Sequence, residues 1–438
     1  MKKIALITFG CAKNLVDSEV MLGHLKNKGF ISVSFPEDAE VIILNTCGFI
    51  LPAKLEAREA LAEAVSLKKK DPSKKIIAVG CYVQRYKEII RRDFPEIDVL
   101  LGVAAYDRIV DAIKGKQVNG FDGTFLYSHE SPRHLSTPPG WTYVKISEGC
   151  SHRCSYCAIP LIKGPYRSRP PDSIRKEVET LVSSGIKEIN LISQDTTYYG
   201  RDLGQKEGLV ELLYKLLKIK NLGRIRILYG YPEEVTDFLL DIMQEKKICS
   251  YLDIPFQHSH PEIIKKMGRG MDREKALALI EKIRKKIPDM ALRTSLIVGF
   301  PGEGKNEFNH LLDFVRTARF DHIGAFTYSP EENTRAFPLG DPVSAHTKRK
   351  RRETLLGLQA GISAENNKKY LHKILPVLVD GPYHKDSSIL LGRTSFQAPE
   401  VDGMVIMSAP SKTIKTAGTF QKVEIIETDV YDLFGEIV

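Results

Sequence analysis

Over residues 1 to about 125, short apolar runs alternate with stretches whose apolar residues recur at helical spacing. Ile4–Phe9, Val41–Leu44 and Ile76–Val79 read as strands, and Leu15–Lys28, Pro52–Lys69 and Val83–Arg92 read as helices. Strands separated by helices of this length predict βαβ units and a parallel sheet. From Asn119 to Gly140 the periodicity stops, and proline and glycine punctuate Ser131-Pro-Arg-His134 and Thr137-Pro-Pro-Gly140 as in a linker. It resumes near Trp141 with strands at Thr142–Ile146, Glu188–Ile192, Ile225–Tyr229, Tyr251–Pro255, Leu292–Val298 and His322–Phe326, and helices between them, among them Asp172–Ser184 and Glu303–Arg319. Six such units predict a partial (β/α)6 barrel, open on one side, with its functional groups at the carboxyl ends of the strands. After a turn-rich connector from Glu331 to Asp341, a helical run reaches about Tyr370. Five short strands follow: Leu375–Val379, Ile389–Leu391, Gly403–Met407, Lys422–Ile426 and the last eight residues. These predict a small antiparallel barrel of the OB class. The fold class is therefore α/β, with expected domains over 1–125, 136–368 and 370–438.

Composition narrows the setting. The chain has 438 residues, 42% of them hydrophobic, which is ample for several packed cores. No stretch approaches the ~18 apolar residues of a membrane helix. The first apolar run is too short for a signal peptide and meets Gly10-Cys11 with no small-residue cleavage pattern. A cytoplasmic location is expected, where thiols stay reduced. The net charge of +9 invites a nucleic-acid partner. The basic cluster Lys348-Arg-Lys-Arg-Arg352 suits either a phosphate backbone or the solvated face of a helix.

Six of the seven cysteines fall into two triplets. Cys150, Cys154 and Cys157 have the spacing C-x3-C-x2-C, directly after the first barrel strand. Three thiolates this close can hold one face of a 4Fe–4S cube, which normally takes four cysteines. The missing fourth leaves one iron open, which suits binding and one-electron cleavage of S-adenosylmethionine. A zinc site using His152 as fourth ligand is the competing reading, although a ligand between two others at this spacing is crowded. Disulfides are a poor reading of an odd number of reduced thiols. Cys11, Cys47 and Cys81 are far apart in sequence. Each follows the carboxyl end of a strand and precedes a helix, so all three can converge on one sheet rim. The helix ends there favour thiolates. Cys249 reads as structural. Gln194-Asp195-Thr-Thr197, Phe256-Gln-His258 and Ser295–Glu303 add polar groups at other strand ends. His258 reads equally well as an ordinary interior histidine.

With Tyr156 as its aromatic residue, the Cys150–Cys157 stretch resembles the radical S-adenosylmethionine superfamily signature. Gly10–Glu19, Asn45–Ile50 and Val79-Gly-Cys81 resemble the amino-terminal domain of methylthiotransferases. Gly392-Arg-Thr394, Ala398–Gly403 and Tyr431-Asp-Leu433 resemble the TRAM domain that closes that family. The resemblance implies two 4Fe–4S clusters, one on Cys150, Cys154 and Cys157 and an auxiliary one on Cys11, Cys47 and Cys81. It implies S-adenosylmethionine as cofactor, with Tyr156, Gln194, Ile297 and Gly299 as contacts, Gly299 letting backbone approach the nucleoside. It implies replacement of an unactivated C–H by C–SCH3: a 5′-deoxyadenosyl radical takes the hydrogen and the auxiliary cluster supplies sulfur. No catalytic side chain beyond the cluster ligands stands out, and a reducing electron donor is needed.

One branch of the family modifies adenosine in transfer RNA, the other the β-carbon of an aspartate in small-subunit ribosomal protein S-twelve. Gly10-Cys-Ala-Lys-Asn-Leu-Val-Asp-Ser-Glu19 resembles the ribosomal-protein branch; the transfer-RNA branch carries Gln-Met-Asn after its first cysteine. Charge points the same way. From Tyr370 onward there are six Lys/Arg and nine Asp/Glu, and six minus nine leaves −3 in a chain of +9. An acidic terminal barrel is a poor clamp for phosphates and a suitable dock for a basic ribosomal protein. A non-catalytic iron–sulfur RNA-binding module is the reading from another class, distinguished by its failure to form 5′-deoxyadenosine.

Overall fold

The computed structural model describes residues 2–118, 120–383, 386–408 and 417–438. The amino-terminal part is a parallel sheet of five strands in the order Ile31–Ser32, Lys3–Thr8, Val41–Thr46, Lys75–Gly80, Val99–Leu101. The central strands are apolar on both faces because helices cover both, Ala12–Asn27 on one side and Leu51–Lys70 on the other. The two edge strands escaped the sequence reading, since two or three residues carry no period.

The central part is an arc of six parallel-type units. Trp141–Lys145, Glu188–Ile192 and Arg224–Ile227 form one three-stranded sheet; Tyr251–Asp253, Ala291–Val298 and His322–Thr327 form the other. The seam between them is carried by a bridge from Ile225 to Ile248. Trp141–Lys145 and His322–Thr327 are the outer edges and pair with no further strand among the described residues, so the barrel is open, as its period predicts. The presumed linker is a strap. Arg133 in it binds Glu19 at 2.6 Å, Glu177 at 2.8 Å and the Tyr143 carbonyl at 2.7 Å, tying the first helix to the barrel.

The carboxyl-terminal strands close into a barrel in the order Ile374–Tyr383, Asp386–Arg393, Val405–Ser408, Leu433–Ile437, Phe420–Thr428. It is not wholly antiparallel: Val405–Ser408 and Leu433–Ile437 run parallel. Five is odd, and a closed ring with an odd number of strands cannot alternate direction throughout. This barrel packs on the amino ends of the central strands. Glu188, Arg224 and Tyr251, each the first residue of its strand, contact Arg393, the Arg393 carbonyl and Asp402 respectively. One apolar core runs through all three parts, from Val16 and Val20 through Trp141, Tyr143 and Tyr251 to Val377, Leu378 and Val405. No helix among the described residues is long and apolar enough to cross a membrane.

Candidate radical cofactor and sulfur site

Cys11 caps the helix Ala12–Asn27, Cys47 directly follows the strand Val41–Thr46, and Cys81 opens the helix Cys81–Asp93. Thr46 and Gly80 are register partners, so Cys47 and Cys81 leave neighbouring strand ends side by side. Gly10 brings Cys11 in. Its φ is +90°, and a Cβ there would lie 2.7 Å from Cys47 Cβ, so only glycine allows the approach. The three thiols therefore share one rim. The expected thiolate preference from the helix ends is not what prevails at two of them. Burial, reinforced by the Cys11 charge, pushes Cys47 up to about 11; burial pushes Cys81 up to about 12, although Lys163 pulls the other way.

The second triplet lies on a loop held at its base by a two-stranded ribbon, Ser147–Glu148 against Arg167–Ser168. The Cys150 amide donates to the Gly164 carbonyl at 3.1 Å. Ser155 is tied by its amide to the Met267 carbonyl at 2.8 Å and by its hydroxyl to the Lys266 carbonyl at 2.7 Å. Arg269 crosses behind, 3.8 Å from Cys154 Sγ and 2.7 Å from the Pro255 carbonyl, with its guanidinium over the Tyr231 ring. Burial pushes Cys150 up to about 11 and Cys157 up to about 12.

His152 is engaged elsewhere. Its Nε2 meets Asp195 at 2.5 Å and its ring stacks on Tyr231 with centroids 3.7 Å apart, which sets aside its role as a zinc ligand. Among the described residues no three His, Cys, Asp or Glu side chains close on a single ion. A cuboidal cluster instead spreads its cysteines over separate irons. Two sets of three free thiols, with Cys47, Cys81, Cys150 and Cys157 costly to ionise without a cation, fit such clusters.

The other expected contacts divide. Tyr156 and Ile297 pack together against Met267, Phe300 and Tyr328, beside the cysteine loop. Gln194 donates to Glu148 at 2.6 Å, and its buried Oε1 has no partner among the described residues, an acceptor left for a bound group. Gly299 is also required by its own surroundings. Its φ is +77° and the place of a Cβ, 2.4 Å from Lys348 Cγ, is taken by the Lys348 side chain; the Gly299 amide donates to Glu303 at 2.9 Å. His258 is an interior histidine, its Nδ1 accepting from the His260 amide at 3.0 Å and its Nε2 3.3 Å from Glu303. Cys249 is buried within the shared core. The basic cluster lies on the helix Ala345–Asn367, part of it solvated and part of it bonded to the barrel. Lys348 binds the Tyr328 carbonyl at 2.8 Å, Arg351 binds Glu303 at 2.7 Å and Arg352 binds the Ala325 carbonyl at 2.9 Å; Arg349, Lys350 and Arg352 are exposed.

Between the two triplets lies a buried charge network that the sequence reading missed. Lys145 bridges Asp17 of the first helix and Glu148, the latter at 2.7 Å. Lys163, whose charge acts on Cys81, lies 3.3 Å from Asp17 and 3.5 Å from Glu148. Burial alone would raise the Glu148 carboxyl, but Lys145 and Lys163 hold it down at about 2. The only sequence signals were a lysine inside an apolar strand and a glutamate beside the first cysteine of the loop.

The arrangement defines a class: a partial barrel of the radical S-adenosylmethionine type with a second cysteine rim docked on it. Residues 144–315 match the radical SAM superfamily, residues 3–102 the uncharacterized protein family UPF0004 and residues 373–438 the TRAM domain. The solved methyltransferase TsrM of Kitasatospora setae, with cobalamin and a 4Fe–4S cluster bound, shares the fold at TM-score 0.56 and 14% identity over 77% of each chain. The cobalamin-dependent radical enzyme OxsB does so at 0.54 and 12%, over 81% of this chain and 56% of its own. The ribosomal protein uS12 methylthiotransferase RimO of Aquifex aeolicus is 44% identical over 99% of this chain and 96% of its own length, and that of Clostridioides difficile 42% over 100% and 99%. The chain belongs to the family of radical S-adenosylmethionine methylthiotransferases that these relatives represent. Membership brings a 4Fe–4S cluster and S-adenosylmethionine as its cofactors.

Proposed function

We propose that this enzyme methylthiolates the β-carbon of an aspartate in ribosomal protein uS12, in the cytoplasm, drawing on a reducing electron donor. The observation carrying this reading is that one buried network of Asp17, Lys145, Glu148 and Lys163 joins the helix that follows Cys11 to the base of the Cys150–Cys157 loop and reaches Cys81, while the relatives spanning the whole chain are methylthiotransferases of uS12. Cys150, Cys154 and Cys157 would hold one 4Fe–4S cluster, and Cys11, Cys47 and Cys81 a second. Bound there, the first cluster supplies the electron that splits S-adenosylmethionine and the second supplies sulfur.

The chain's own residues prepare the ground. Arg269 places a cation beside Cys154. Lys163 sets one beside Cys81, offsetting part of the burial that opposes its thiolate. Tyr156, Gln194 and Ile297 would line the cofactor, with Gly299 placing the adjoining turn. Domains over 1–125, 136–368 and 370–438 would divide these tasks into sulfur supply, radical generation and docking of uS12 or the ribosomal subunit.

The test is mass spectrometry after anaerobic reconstitution with S-adenosylmethionine and reductant, offering small ribosomal subunits and transfer RNA together. A methylthio group on the uS12 aspartate is the expected result. A methylthio group on adenosine alone would move the enzyme to the other branch, and absence of 5′-deoxyadenosine would remove it from the class.

A further inference from the structure

Lys13 has no carboxylate within ion-pair distance among the described residues. It stands in the first turn of the helix Ala12–Asn27, directly after Cys11 and its neighbour Ala12. That is the end of a helix where a cation is disfavoured, because the unpaired amides there already carry positive charge. Its side chain leaves the amino-terminal sheet and reaches the carboxyl rim of the barrel. There the ammonium lies 3.6 Å from the centre of the Tyr229 ring and 3.4 Å from the Ser193 carbonyl. Ser193 and Tyr229 follow the ends of two neighbouring barrel strands, so the amine sits where both halves of the site meet.

The carboxylates around it are already taken, and the Cys11 thiol, whose charge also reaches it, belongs to the sulfur rim. Glu148 is shared by Lys145, Lys163 and Gln194. Asp253 binds Arg293 at 3.2 Å and accepts from the Tyr229 amide at 3.3 Å. A carbonyl and an aromatic face hold the ammonium in place without neutralising it. Tyr229 itself is held at φ 61°, a left-handed conformation disfavoured for a bulky side chain, and its ring is what the ammonium rests against. A poised cation between the cofactor loop and the sulfur rim calls for an anion from outside the chain.

We infer that Lys13 receives the side-chain carboxylate of the substrate aspartate, turning the adjacent β-carbon towards the radical site while the sulfur rim stands on the amino-terminal side. This rests on the uS12 reading given above. Lys13 is thus a binding and specificity residue: it distinguishes aspartate from its uncharged analogue.

The probe is a synthetic peptide of the uS12 target loop, made with Asp, Asn or Ala at the modified position and titrated by fluorescence anisotropy onto the reconstituted full-length enzyme under anaerobic conditions. A charge-assisted hydrogen bond is worth about 1.5–3 kcal/mol, so the wild type is expected to bind the Asp peptide roughly ten- to a hundred-fold more tightly than the Asn peptide. Lys13→Met and Lys13→Gln should bind both alike, and Lys13→Arg should restore part of the preference. A wild-type preference that persists in Lys13→Met and Lys13→Gln overturns the assignment while leaving the uS12 reading intact. Equal binding of Asp and Asn peptides by a wild type that still methylthiolates the Asp peptide overturns it as well. A wild type that binds and modifies neither peptides nor small subunits overturns the uS12 reading, and the role of Lys13 falls with it.

Discussion

Besides the Arg133 strap and the Arg85–Glu331 pair, two buried charge networks join the outer domains to the central barrel, and they are built differently. The upper one, at the carboxyl ends of the strands, joins the amino-terminal domain through lysines and short carboxylates: Lys145 and Lys163 with Asp17 and Glu148. The lower one, at the amino ends, joins the terminal barrel through arginines. Glu188 is 2.9 Å from Arg393 and 3.3 Å from Arg224, and Arg393 grips Asp380 with two bonds of 2.9 and 3.0 Å. Arg224 and Arg226 also donate to the carbonyls of Pro376, Arg393, Thr394 and Ser395. A guanidinium fork satisfies several fixed acceptors at once and always carries its charge, which suits attachment. An ammonium is a compact point charge that acts on whatever stands near it. The upper lysines stand near cysteines: Lys163 pulls the Cys81 thiol down against its burial. The lower network touches only the structural Cys249. One joint serves the chemistry and the other serves attachment.

The largest expected effect comes from removing what the upper joint serves. Cys150, Cys154 and Cys157 changed together to alanine should abolish 5′-deoxyadenosine formation and leave about half the reconstituted iron, roughly four of eight atoms. Changing Cys11, Cys47 and Cys81 together should abolish methylthiolated product while 5′-deoxyadenosine still forms. If product survives the second change, the upper joint does not serve sulfur insertion and the contrast between the joints collapses.

Next comes the lower joint. Glu188→Ala leaves Arg224, Arg226 and Arg393 buried around no carboxylate from the barrel, and breaking a buried pair in this way costs about 3–5 kcal/mol. Thermal unfolding and limited proteolysis near residue 370 should both show it. The same group sets an acid limit. Burial would raise the Glu188 carboxyl, but Arg393, Arg226 and Arg224 hold it at about 2 in the folded chain against 4.5 ordinarily. Between those values the unfolded chain binds more protons, so stability rises with pH. The contribution, on the order of 3 kcal/mol, is present above about pH 4.5 and is lost as pH falls towards 2. Glu188→Gln should flatten that part of the stability–pH curve.

A finer comparison sets Lys163→Met against Arg393→Met. Each removes one cation from one joint. Arg393→Met should lower the melting temperature and leave product per folded molecule nearly unchanged. Lys163→Met should lower product several-fold beyond what its stability loss explains, with reconstituted iron falling alongside. Equal slopes of activity against stability would erase the distinction.

The two joints also mark where the sequence stops being readable. The loop triplet is local, so its spacing announces it. The spread triplet becomes legible because strand ends of a parallel sheet share a rim, and Thr46 beside Gly80 realises that. The joints have neither advantage. Glu188 and Arg393 meet across 205 positions, and Lys145 and Asp17 across 128. No periodicity encodes such a pairing, and a lone lysine or arginine in a strand reads only as an oddity. The basic run Lys348–Arg352 is legible in part: its helix and its exposed members Arg349, Lys350 and Arg352 follow the sequence reading, while the partners Glu303, Ala325 and Tyr328 of its other bonds lie elsewhere in the chain. Arg393 is likewise a buried anchor and not part of a basic surface patch.

The lower joint changes what the acidity of the terminal barrel can mean. Asp380 and Asp402, both counted in its net charge, are turned inward onto Arg393 and Arg293. Of the six basic residues, Lys385, Lys412 and Lys415 lie outside the described residues. On the strands Phe420–Thr428 and Leu433–Ile437 the acids Glu427 and Glu436 face solvent with Glu424 half-buried beside them, while Lys422, Ile426 and Phe420 are exposed as well. Glu424 and Glu436 are direct cross-strand partners, an arrangement that like charges disfavour, and Glu427 follows on the same hairpin. A surface that keeps such a pair is suited to a basic partner, and exposed charges of this kind act mainly on the rate of encounter. Removing the whole barrel would strip the cover from Glu188 and Arg224, so surface reversal is the cleaner change. Glu424→Lys, Glu427→Lys and Glu436→Lys together should slow association with uS12 roughly tenfold at low salt, taking about 0.2–1 kcal/mol for each exposed charge. The difference from wild type should shrink as salt rises. Dissociation, melting temperature and 5′-deoxyadenosine formation without uS12 should stay close to wild type, because none of the three touches the lower joint or either cysteine triplet. Stopped-flow association at several salt concentrations is the deciding measurement. An unchanged association rate would place recognition of uS12 elsewhere and leave the terminal barrel as an anchored cover for the amino ends of the strands.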